Sequence, residues 1–176
     1  MRTASASRAR HRTTSGTRLS GRFSGEGPGA LRPTERLNQV AILYPVFVQV
    51  LLIFVVAVLM SRARRRSVVS RTREDLQAIA IGQYDWPEDA KKRAANYTNQ
   101  FEIPVLFYAV VAFALIVKSA DLVMIVLAWI FVLSRIAHAA IHVGSNRVKY
   151  RAPVFALGFL VLMVMWVRLA VHVILA

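Results

Sequence analysis

Four apolar runs, at 39–60, 101–117, 122–142 and 153–176, restrict this chain more than any other feature. About 20 helical residues cross about 30 Å of hydrocarbon, and each run is near that length. A single run of this kind could be a buried helix in a soluble protein. Four in succession, with little amphipathic alternation and basic residues just outside them, predict an all-α integral membrane protein built as a four-helix transmembrane bundle. The expected membrane domain covers 34–176, with helices at about 37–61, 86–118, 121–143 and 152–175.

Composition agrees once charge is considered. The 176 residues are 56% hydrophobic yet carry a formal net charge of +14. Apolar spans and basic flanks reconcile the two, because they are separated along the chain. Residues 1–33 are rich in Arg, Ser, Thr and Gly and hold few groups that could build a core, so they read as a disordered basic tail. That makeup is also similar to an organellar transit peptide, but it has no apolar stretch of the kind a secretory signal needs. The chain has no cysteine, so any sulfur chemistry must use a thiol brought by a ligand.

Loop lengths fix neighbours. The 118–121 link forces the second and third helices into a tight antiparallel hairpin, and 143–152, with Gly144, Ser145 and Asn146, packs the third against the fourth. The 61–85 segment is long and basic. Asp85-Trp86-Pro87-Glu88 reads as a helix start with Asp85 as N-cap, and Pro45 and Pro104 are expected bends. Basic residues near the spans concentrate in the first and third loops, which places those loops in the cytoplasm and both termini outside. The basic first loop is then expected to meet anionic lipid, not nucleic acid.

The polar residues within the spans are not scattered. Asn96, Asn99 and Glu102 share one face of the second helix, and Arg135, His138 and His142 share one face of the third. Counting outward from the hairpin at about 1.5 Å per residue puts Glu102 level with Arg135. Asn99 then matches His138, and Asn96 matches His142. Arg151 is brought to the same face by the short third loop. Mutual neutralisation would explain Glu102 and Arg135 but not the other five. A cluster with more cations than anions suits an anionic ligand, with arginine forks gripping carboxylates. The same residues could instead form a structural polar network, or a relay in a small transporter or channel. Two histidines without a third ligand do not make a metal site, and none is expected. Arg168 and His172, near the far end of the fourth helix, read as side chains snorkelling to the other interface.

Asn99-Gln100-Phe101-Glu102 followed by Pro104, then Arg135-Ile136-Ala137-His138, then Arg151-Ala152-Pro153, resembles the MAPEG family, the membrane-associated proteins in eicosanoid and glutathione metabolism. The resemblance runs from about residue 39 to the end and is greatest to uncharacterised bacterial members, where the membrane would be the inner membrane. It implies a homotrimer with glutathione, or another low-molecular-weight thiol, bound between subunits near the cytoplasmic face. Asn96, Asn99, Glu102, Arg135, His138 and His142 would form the pocket. Arg151 would be catalytic, stabilising the thiolate that attacks a lipophilic substrate or reduces a lipid hydroperoxide. Ala95 and His142 stand where enzymatic members commonly have an arginine and a tyrosine, and Phe155 stands where some have a tyrosine.

Overall fold

A computed structural model of the chain describes residues 32–67 and 72–175. The tail expected at 1–33 therefore lies outside the described residues, apart from Arg32 and Pro33. Among the described residues the chain forms seven helices: α1 Pro33–Ala41, α2 Leu43–Arg66, α3 Arg73–Ala80, α4 Glu88–Thr98, α5 Ile103–Ile116, α6 Leu122–Val143 and α7 Val148–Leu175. By length and composition four stretches can cross a membrane: Pro33–Arg66, Glu88–Ile116, Leu122–Val143 and Val148–Leu175.

Each span carries a local signature. Pro33 opens α1, and Glu35 turns back to accept from the Arg32 backbone N–H at 3.0 Å. The first span breaks at Ile42, as Pro45 demands: its ring opposes the carbonyl of Ala41, four residues back. Arg64, Arg65 and Arg66 close α2 at its negative end. The second span starts at Glu88 with Pro87 as N-cap, not Asp85; the Asp85 carboxylate instead lies 2.7 Å from Lys91 Nζ. That span is interrupted at 99–102, where a gentle bend at Pro104 was expected. Asp121 caps α6 by accepting from the Met124 N–H at 2.8 Å. The last helix begins at Val148, four residues before its expected start, because the Arg147 carbonyl accepts from both Tyr150 and Arg151. Pro153 is thus inside the helix.

Burial identifies the centre of the bundle. Half of the α6 span is buried, against 22–33% for the other three, so α6 is the element that the rest surround. Phe107 of α5 stacks on Phe131 of α6 with ring centroids 4.5 Å apart, inside a core that includes Val110, Met124, Val132 and Met165. The packing of α6 on α7 is closer. A Cβ placed on Gly158 would lie 2.5 Å from Ser134 Oγ and 4.0 Å from Arg135 Cδ. Without a hydrophobic drive between helices in lipid, such small-residue contacts carry much of the association. Ser134 Oγ is committed, donating to the Phe131 carbonyl at 2.6 Å.

Gly158→Ala is therefore expected to lower stability in detergent by about 1–3 kcal/mol through overpacking. Adding Ser134→Ala removes the obstructing oxygen and should restore most of the loss. A double variant melting no higher than Gly158→Ala would refute this account of the contact.

Candidate functional site

The site is built at the interruption of the second span. When four residues leave the helix, the last carbonyls of α4 lose their intrahelical donors and must find others in a low-dielectric setting. Arg135 supplies one: its Nη2 donates to the Asn99 carbonyl at 2.9 Å. The side chain of Asn99 turns the other way, its amide nitrogen 3.2 Å from His142 Nδ1.

The interruption is itself clamped by buried amides. Gln49 of α2 donates Nε2 to Gln100 Oε1 at 3.1 Å, and Gln100 donates to the Asn96 carbonyl at 3.3 Å. Gln49, Asn96 and Gln100 are fully buried. Leucine at position 49 would leave Gln100 Oε1 unpaired. Gln49→Leu is expected to cost about 1 kcal/mol, in the range measured for interhelical hydrogen bonds in membranes. It should also speed hydrogen exchange at the backbone amides of 99–102; unchanged exchange there would rule out the clamp.

Beside Asn99 lies a cavity of about 280 Å³ lined by Asn99, His138, Val148, Arg151, Ala152 and Phe155. His138 is buried, its Nδ1 has no hydrogen-bond partner, and its ring centroid is 5.6 Å from that of Phe155. Arg151, in the first turn of α7, is held by the Asn146 side chain, with Nη1 2.7 Å from Oδ1. Asn146 has φ 48, a left-handed conformation that asparagine tolerates better than most residues. Arg135 is 1% exposed, its Nε is unpartnered, and its guanidinium carbon is 6.0 Å from the Phe155 ring centre.

The depth matching read from the sequence is displaced by about one turn. Asn99 meets His142, not His138, and Arg135 reaches the Asn99 backbone, not the Glu102 carboxylate. Non-helical residues rise by more than about 1.5 Å each, so the break pushes Asn99 farther from the hairpin than helical counting allows. Asn99, Arg135, His138, His142 and Arg151 form one cluster. Asn96 belongs instead to the buried amide seam, and Glu102 is exposed at the N-cap of α5, outside the cavity lining. Sequence reasoning passed over Gln49, Gln100 and Asn146 as functional supports. The signal for Gln49 was present, since a lone amide inside an apolar span has to find a partner.

Charge gives this arrangement its chemical character. Among the described residues no carboxylate lies within 4.0 Å of a side-chain nitrogen of Arg135 or Arg151. Glu102 acts on Arg135 only from beyond ion-pair distance, so the buried guanidinium is incompletely neutralised, and an anion placed in the adjoining cavity relieves the cost of burying it. Arg151 and His138, whose Nδ1 is unpartnered, line the cavity, and the Arg135 guanidinium lies behind its Asn99 and Phe155 walls, which makes it an anion-seeking site with Phe155 as an apolar wall.

Residues 42–171 match the model of the MAPEG family. The chain belongs to the MAPEG family. This MAPEG protein is thereby placed among glutathione-related, multi-pass membrane proteins, and the match takes in every residue of the cavity and of the amide clamp. No curated protein and no solved structure shows a significant match to it. α1 precedes the matched region, which begins at Ile42, where the first span breaks.

Proposed function

We propose that the cavity beside Arg135 and Arg151 binds glutathione or a related anionic thiol and presents its thiolate to lipophilic electrophiles that arrive through the bilayer. The observation that carries this reading is Arg135, a buried guanidinium without a carboxylate partner, next to a cavity already lined by a second arginine. A ligand carboxylate would complete the Arg135 fork, and Asn99 and His138 would bond the peptide portion. Arg151 would lie toward the sulfur, where a nearby positive charge lowers a thiol pKa from about 8.5 toward neutrality. The thiolate then forms a carbon–sulfur bond as the leaving group departs with its electron pair. With a second thiol the same site would reduce a lipid hydroperoxide to an alcohol, giving disulfide and water.

The assembly we favour is a homotrimer with the first and third loops on the cytoplasmic side. Glu102 supports it: an exposed carboxylate with no hydrogen-bond or ion-pair partner among the described residues is available to the amino group of a ligand held by a neighbouring subunit. The full chain, purified in detergent, should conjugate glutathione to an electrophilic aryl halide. Conjugation indifferent to both Arg151→Ala and Arg135→Ala would sink the catalytic assignment.

A further inference from the structure

A cavity of about 300 Å³ lies between the last turns of α2 and the first turns of α4. Leu59, Arg62, Ala63 and Arg66 line it on the α2 side, and Asp89 and Arg93 on the α4 side. Ala63 is buried, and so is Ala90 of α4. Small residues let the two backbones approach, and the longer side chains beside them form the walls of the cleft.

The charges in this cleft do not balance. It holds three guanidinium groups and one carboxylate. Arg93 Nε donates to Asp89 Oδ2 at 2.9 Å, so the carboxylate is already engaged. Among the described residues Arg62 and Arg66 enter no ion pair within 4.0 Å, and Asp89 acts on Arg66 only from beyond that distance. The two arginines stand four residues apart on α2, a spacing at which like charges destabilise one another. An anion between them relieves that repulsion. A zwitterion does not, because it brings as much positive charge as negative.

Position decides which anion. Leu59 precedes Arg66 by seven residues, so the cleft extends about 10 Å along α2 from its last residue into the apolar span. That depth is the boundary between headgroups and hydrocarbon. A soluble anion has to leave water to reach it, whereas a phospholipid already carries its phosphate there. We infer that Arg62 and Arg66 together hold the phosphate of an anionic phospholipid, with the Arg93–Asp89 pair as the opposite wall and the acyl chains left in the bilayer. Guanidinium forks match phosphate oxygens in geometry as well as charge. Basic residues elsewhere at this end of the bundle attract anionic lipid diffusely. Arg62 and Arg66 differ from them because α4 closes one side and makes a seat. The site does not depend on what fills the Arg135 cavity.

Native mass spectrometry of the full chain, released from detergent after exposure to each lipid, tests the assignment. Phosphatidylglycerol should be retained at least about ten-fold more tightly than phosphatidylcholine. Arg62→Gln combined with Arg66→Gln should remove most of that preference; both side chains are exposed, so neither change takes away packing. Arg147→Gln combined with Lys149→Gln deletes the same charge from the third loop and should leave the preference within about two-fold of its original value. Equal retention of the two lipids by the unmodified chain overturns the inference. So does an equal loss of preference in the two double variants, which would reduce the seat to diffuse attraction. Inorganic phosphate should not raise the melting temperature of the lipid-free chain. A rise that Arg62→Gln and Arg66→Gln abolish would make the occupant free phosphate and overturn the lipid assignment.

Discussion

Arg151→Ala should slow glutathione conjugation about ten-fold near pH 7 and much less near pH 9. The magnitude follows from two opposing effects. Without the guanidinium, the bound thiol returns toward its ordinary pKa of about 8.5, and at neutral pH the thiolate fraction falls by more than ten-fold if the pKa had been near 6.5. A more basic thiolate is the better nucleophile, with a Brønsted slope of about 0.4–0.5, which recovers part of that loss. Lost positioning adds to it again. The sign is unambiguous: Arg151 lowers the thiol pKa, so its removal moves the acidic limb of the pH–rate profile upward by about 1–2 units. A steady-state profile of kcat/KM measures this. A uniform loss at every pH would instead make Arg151 a positioning residue, acting through the first turn of α7 where Asn146 holds it.

Arg135→Met is expected to raise KM for glutathione about 10- to 100-fold while leaving the thiol-free protein at least as stable as before. The two halves of that result have different origins. Charge-assisted hydrogen bonds contribute about 1.5–3 kcal/mol each, and one is lost with the guanidinium. Methionine has similar reach and removes a buried charge that has no carboxylate partner among the described residues, a change that is often neutral or stabilising. The Asn99 carbonyl loses its donor, which offsets that gain by about 1 kcal/mol. A structural arginine would behave in the opposite way, with stability falling and KM unchanged. Melting curves with and without thiol, set beside steady-state kinetics, separate the two. Arg135→Lys should fall between, because an ammonium supplies the charge but not the planar fork.

The fold was legible because lipid imposes one rule on every span, and four apolar runs obey it whatever their packing. The cluster was legible for a related reason: polar side chains at membrane depth are expensive, so Arg135, His138, His142 and Asn99 had to meet something. Which atoms they meet was not legible. Helical counting carried Glu102 to Arg135, but the chain leaves the helix at 99–102, and the Arg135 guanidinium goes to a backbone carbonyl that no pattern of side chains announces. Pro104 hinted at the irregularity, yet a proline predicts a bend as readily as a break. Gln49 and Gln100 hold the break through contacts 51 residues apart in sequence, beyond the reach of local periodicity. Arg168 was visible as a snorkelling arginine, and its pairing with Asp121 across 47 residues appears only in the folded bundle.

Ligand-induced stabilisation tests most directly whether the Arg135 cavity is a thiol site. A molecule that binds the folded state alone raises the melting temperature by an amount set by RT ln(1 + [L]/Kd). Measured on the full chain in detergent, glutathione should raise the melting temperature progressively with concentration, and Arg135→Met should remove most of that rise. A melting temperature that glutathione leaves unmoved, or one that it raises equally in the wild type and in Arg135→Met, would contradict the account.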